Sequence, residues 1–215
     1  MADQLTPPAR RWAALVAAVA WTGLAVQFDA SFGRVGSVAV TLWTLLRFFT
    51  ILANLSSAIL FTGIVLGRRA CARSFVTGGA MVMMLLVGIT YAALLRGLIV
   101  LSGGAKLADV LLHTVTPILV PLFWLLFTPK GRLRWRDPLL WAALPLAYLP
   151  YALMRGVADG VYAYPFIDLT RIGVARVALN ALGIAIGFEV VSFALVGFDH
   201  WLGRRTPLAG AATRA

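Results

Sequence analysis

The chain has almost nothing with which to hold a metal or cross-link itself. Its 215 residues include one cysteine, Cys71, and two histidines, His113 and His200. A single cysteine forms no internal disulfide. One cysteine and two widely separated histidines do not make a usual zinc set, and no His-Glu-x-x-His element is present. No glycine-rich phosphate loop occurs either; Gly103-Gly104 in LSGGAK reads as a turn. No cofactor is therefore expected. No internal repeat or low-complexity segment is visible, which weakens a transporter built from duplicated halves. Charge is scarce too, at 13% of residues, with only eight Asp and Glu. That excludes a soluble domain of this length.

What is there is hydrocarbon. Hydrophobic residues make up 61% of the chain and the mean hydropathy is +0.89. A spanning helix needs ~20 mostly apolar residues. Six segments qualify: Trp12–Phe28, Trp43–Leu66, Phe75–Val100, Leu107–Phe127, Leu139–Met154 and Ile172–Val196. In lipid the backbone must satisfy its own hydrogen bonds, and long uninterrupted runs argue for helices over a barrel. The expected fold is all-α, one polytopic domain of six transmembrane helices over residues 1–215. Little chain remains for a separate soluble domain.

A net charge of +11 invites a nucleic-acid reading, but its placement argues against one. Arg10, Arg11, Arg68, Arg69, Arg73, Lys130, Arg132, Arg134, Arg136, Arg204, Arg205 and Arg214 fall on one side of the six spans. Arg34, Arg47, Arg96, Lys106, Arg155, Arg171 and Arg176 fall on the other, with Asp29, Asp109, Asp159 and Asp168. The positive-inside rule puts the basic side and both termini in the cytoplasm. The expected location is a bacterial plasma membrane, multi-pass, with the basic loops meeting anionic headgroups. Arg10-Arg11 before an apolar run resembles a signal peptide, but no small-residue cleavage site follows Phe28, so the first span reads as uncleaved.

Against this background His113 stands out, because an ionisable group inside a span is expensive and marks a functional hypothesis. A histidine is also the side chain best suited to move protons near neutral pH. With the fourth span entering from outside near Leu107, His113 lies ~9 Å along it at ~1.5 Å per residue. Thr50 lies at a similar depth in the second span, on one face with Arg47 and Asn54. Thr90 and Tyr91 of the third span reach that level. The loop GVADGVYAYPFIDLTR adds Asp159, Tyr162, Tyr164 and Asp168. A hydroxyl beside a histidine is the minimum for nucleophilic acyl transfer. Asp109, four residues before His113, or Asp168 from the loop, would orient the ring. Arg47 or Asn54 would stabilise an oxyanion or hold a carboxylate.

Each element also has a plainer reading. A threonine in a membrane helix commonly bonds the carbonyl one turn back. A histidine in a span can bond a neighbouring helix, and Arg47 can snorkel to the headgroups. Trp43, Trp124, Trp135, Trp141 and most tyrosines suit an aromatic belt. Pro117 and Pro121 kink a span. Glu189 is costly to bury charged, and on span positions it sits toward the opposite leaflet from His113.

Three patches in order, LRFFTILANL, LLHTVTPILVPLFW and VYAYPFIDL, resemble the androgen-induced membrane hydrolases and their bacterial six-span relatives. The animal members include the androgen-dependent regulator of tissue factor pathway inhibitor. The resemblance implies a threonine hydrolase cleaving fatty-acid esters of hydroxy fatty acids. It places the nucleophile at Thr50, after Phe48-Phe49, and the catalytic histidine at His113, before Thr114 and Pro117. Tyr164-Pro165-Phe166 matches the family's outer-loop patch. The animal pattern has an Asp three residues after the nucleophile, where this chain has Ala53. The expected partner is a lipid or fatty-acyl ester substrate in the bilayer. The competing expectation is a non-catalytic transporter, channel or lipid-binding protein, with Arg47, His113, Asp168 and Glu189 lining a path or pocket.

The charge bias carries a prediction of its own. Cysteines substituted near Arg69 and Arg134 should escape an impermeant thiol reagent in intact cells, while one near Gly103 should react. The reverse pattern would invert the topology.

Overall fold

Pro7 and Pro8 open the first helix, α1 (Pro7–Val35), where a missing N–H costs nothing. Gly36, with φ of 72°, closes it by donating its N–H to the Phe32 carbonyl at 2.7 Å. The computed structural model describes residues 6–205; Arg214, counted above among the cytoplasmic bases, lies outside them. After α1 come α2 (Val38–Leu45), α3 (Phe49–Val65) and α4 (Ser74–Thr90), which runs on as a π-helical turn at Tyr91–Leu95. Next are α5 (Gly103–Val110), a second π-turn (Leu111–Val115) and α6 (Thr116–Phe127). Then follow α7 (Asp137–Trp141), α8 (Ala143–Asp159), a 3-10 turn (Pro165–Ile167) and α9 (Leu169–Arg205), the last broken at Gly173 by its φ of 74°. No strand occurs among the described residues.

Four stretches are long and apolar enough to cross a membrane: α1, Ser74–Leu95, Gly103–Phe127 and α9. The α2–α3 pair makes a fifth if its two parts are one span. α8, the helix of the expected fifth span, has 17 residues and falls short of that length. The architecture is thus an all-helical assembly with four or five candidate crossings. The third expected span stops early, its helix ending at Leu95.

The second expected span, Trp43–Leu66, is not one helix. It breaks at Leu46–Phe48 and turns by 98°. Phe48 has extended backbone, φ −91° and ψ 130°. No glycine or proline stands there to cause it. The cause is tertiary. A helix end leaves carbonyls without partners, and α8 supplies them: Tyr148 Oη donates to Arg47 O at 2.8 Å, Tyr151 Oη to Leu46 O at 3.1 Å and Arg155 Nη2 to Trp43 O at 2.8 Å.

Small residues bring the other helices together. Ala13, Ala17 and Ala20 of α1 are buried, and α1 packs along α3 and α5. A Cβ on Gly23 would come within 2.7 Å of the Leu112 side chain. Phe61 of α3 meets Phe123 of α6 edge to face at 4.9 Å between ring centres, beside buried Trp124 and Met84. Pro117 follows the second π-turn after one residue, Thr116. Its ring lacks an N–H and crowds the carbonyl one turn back. The wider turn makes room, and Thr116 Oγ1 donates to Leu111 O at 2.9 Å.

The break in the second span should depend on α8. Tyr148→Phe and Tyr151→Phe each leave a buried carbonyl without a donor, and each should cost ~1–3 kcal/mol of stability. Unfolding monitored in detergent would measure this; a neutral effect in both would mean that the break holds itself.

Candidate active site

Because the chain breaks before Phe49, Thr50 sits in the first turn of α3. Its amide is one of the N–H groups that a helix start leaves free. That amide donates to Tyr164 Oη at 3.4 Å. Phe49 and Tyr148 line the same cavity as Thr50 and Tyr164. Tyr164 is buried, stacked on Phe166 at 5.0 Å and edge-on to Phe48 at 5.9 Å. The start of α3, with the Thr50 amide and hydroxyl, thus meets the Tyr164 phenol on one cavity wall.

That wall is the polar end of the cavity, about 190 Å³ in volume. Its walls are otherwise mostly apolar, from Leu86 and Val87 of α4, Leu149 of α8, and Ile184 and Phe188 of α9. Thr90 also lines it. So does Glu189.

His113 belongs to a second cluster. Its Nδ1 lies 2.9 Å from Asp109 Oδ1 and 3.2 Å from Asp109 O. Both are acceptors, so in the neutral ring Nδ1 carries the proton and Nε2 keeps a free lone pair. Tyr91 stacks on the imidazole at 4.3 Å and donates its hydroxyl to Asp109 Oδ2. Tyr91 and His113 each lie in one of the two π-turns. Such turns are frequent at functional sites. Asp109 therefore stands where the sequence had it as a possible orienter of the ring.

The two clusters adjoin without a direct bond. No hydrogen bond joins Thr50 to His113 among the described residues. Asn54, fully buried, ties their backbones: its Nδ2 donates to Thr50 O at 2.9 Å and to Leu112 O at 3.1 Å. Thr90 on the cavity wall is the chain neighbour of Tyr91.

Other expected site residues have different partners. Arg47 is buried against Asp159 at 2.7 Å. Asp159 Oδ2 also accepts from Trp43 Nε1 and from Arg155, which packs over the Trp43 ring at 3.6 Å. Asp168 sits at the start of α9, accepting from the Thr170 hydroxyl at 2.6 Å and from the amides of Thr170 and Arg171. Those bonds, the Thr170 hydroxyl first, hold its carboxyl below the usual range. Sequence reasoning missed Tyr148, Tyr151 and Arg155. Their spacing of three and four on one helix face is the signal that would have found them.

Burial works to raise the Asp159 carboxyl, but the bonds from Arg47 and Arg155 outweigh it and hold the group low. A carboxyl lower in the folded than the unfolded state adds stability above its unfolded value, ~3.9, and loses it as pH falls through the folded one. Asp159→Asn should therefore lower the thermal midpoint at neutral pH, and should lose part of the parent's acid-side decline below about pH 4. Equal midpoints for parent and variant across that range would show that the pair adds nothing.

Comparison of the chain with known protein families, with curated proteins and with solved structures finds no match.

Proposed function

We propose that the protein is an intramembrane lipid hydrolase that cleaves a fatty-acyl ester, with Thr50 as nucleophile and His113 as base. The observation that carries this reading is the position of Thr50 at an open helix start, at the polar end of an apolar cavity. An acyl chain fits such walls, and the ester then lies where amides and hydroxyls converge. In this reading the chain makes six crossings of a bacterial plasma membrane with both termini cytoplasmic, and α8 counts as a short fifth. The three family-like patches fall on these parts: Phe48-Phe49-Thr50 at the break, His113 in its π-turn, and Tyr164-Pro165-Phe166 over the cavity.

The chemistry is acyl transfer in two halves. Thr50 Oγ1 attacks the ester carbonyl carbon, and its proton passes to His113 Nε2 through one water. The oxyanion takes hydrogen bonds from the Phe49 and Thr50 amides and from the Tyr164 hydroxyl. Collapse breaks the ester C–O bond, and the imidazolium returns the proton to the leaving alcohol. Water then attacks the acyl-threonine with His113 as base. The water oxygen becomes the C–OH of the acid, the acyl C–Oγ1 bond breaks, and His113 passes the proton it took from the water to Thr50 Oγ1. Asp109 holds the ring in the required tautomer throughout.

One observation favours a second reading. The Thr50 amide donates to Tyr164 Oη at 3.4 Å and no hydrogen bond joins Thr50 to His113 among the described residues, which suits a lipid-binding protein that holds its ligand without cleaving it. Variants separate the two. Thr50→Ala and His113→Ala should each abolish ester turnover, and the double variant should be no worse, because the pair acts as a unit. Thr50→Ser should keep some activity. His113→Gln should fail, since an amide bonds but does not shuttle protons. A fluorophosphonate label on purified protein should be lost in Thr50→Ala. Labelling that survives Thr50→Ala, or turnover near the parent's in monodisperse His113→Gln, would leave the lipid-binding reading in place.

A further inference from the structure

The cavity has a second polar end. Asn180 of α9 donates to Phe166 O at 2.9 Å, which fixes that level of the helix beside the Tyr164 loop. Glu189 lies nine residues further along α9, about 13 Å away at ~1.5 Å per residue. It lines the same cavity as Thr50. Between the two ends the α9 wall is Ala181, Ile184, Ala185 and Phe188, which offer a ligand no side-chain hydrogen bond. Glu189 Oε2 is buried and has no hydrogen-bond partner, and no ion pair involves Glu189 among the described residues. A carboxyl facing hydrocarbon without a partner is costly, and an orphan of this kind calls for one.

We propose that Glu189 accepts a hydrogen bond from a hydroxyl at the far end of the ligand's chain. The cavity then selects amphiphiles with a polar group at each end of a hydrocarbon stretch roughly as long as the 13 Å helix segment. A plain alkyl chain leaves the carboxyl unpaired, and a chain ending in a carboxylate sets two acids against each other. A terminal hydroxyl does neither. The proposal rests on the reading that this cavity takes a hydrocarbon chain, and it does not require that the ester be cleaved.

Direct binding tests it on the intact protein in nanodiscs, with three twelve-carbon probes measured by equilibrium dialysis: 1-dodecanol, 1,12-dodecanediol, and 12-methoxydodecan-1-ol, whose far end accepts but does not donate. One net hydrogen bond predicts that the parent binds the diol about threefold to tenfold more tightly than dodecanol. The methoxy probe should bind no better than dodecanol, a control that needs no variant. Glu189→Gln should keep a preference for the diol, because its carbonyl still accepts. Glu189→Leu should bind both alcohols alike. Equal binding of diol and dodecanol by the parent, equal gain from the methoxy probe, no binding of any probe, or a preference unchanged in Glu189→Leu would each overturn the proposal. Loss of turnover or labelling has no bearing on these affinities, so the hydrolase reading and this one fail separately.

Discussion

The site depends on one constraint: the second apolar run does not continue as a helix. A break there leaves carbonyls without partners inside the helix. The fold answers with side chains of α8, two phenols and a guanidinium, each on a different orphan carbonyl of the segment from Trp43 to Arg47. The guanidinium is itself held by Asp159, which also holds Arg47. Backbone capping and charge pairing are therefore one network. On its far side, α3 starts with amides that have no acceptor within the helix, and that of Thr50 donates to Tyr164 Oη.

This arrangement also explains which parts were legible. Helical class and the abundance of membrane-length runs follow from long uninterrupted apolar stretches in a chain that is 61% hydrophobic. The association of Asp109 with His113 follows from their spacing of four on one helix. The break was not legible, because LWTLLRFF contains no helix breaker and its cause lies a hundred residues away. Local sequence reports local preference, and here tertiary hydrogen bonds override it. The reach of the cavity along α9 to Glu189 was not legible either, because packing between helices sets it. Arg47 shows a third limit: span position puts it at the outer edge, and only the fold reveals that Asp159 has claimed it.

The two polar clusters differ in what holds them. Thr50 and its phenols are set by the capping network and look into hydrocarbon. His113 is set by a carboxylate and a stacked ring, in a segment where both contributing helices widen. Asn54 is the common fastening, and it uses backbone carbonyls on both sides, so the side chains of Thr50 and His113 stay free of it. A buried amide that grips main chain in this way sets the relative height of two helices and leaves their reactive groups unencumbered.

The π-turn at Leu111–Val115 has a consequence for the phase of its helix. Such a turn holds one residue more than an α-turn, and each residue of a helix advances its facing by about 100°. The extra residue lets two halves with conflicting alignments share one rod: Asp109 faces Tyr91 on the upper half, while Val120 and Phe123 face the core on the lower. Deleting any single residue within that turn would let the rod wind evenly. It would also rotate one half against the other, so that the core and the carboxylate no longer keep their bearings together. The length of this chain through residues 111–115 is thus as much a part of the site as the identity of its histidine.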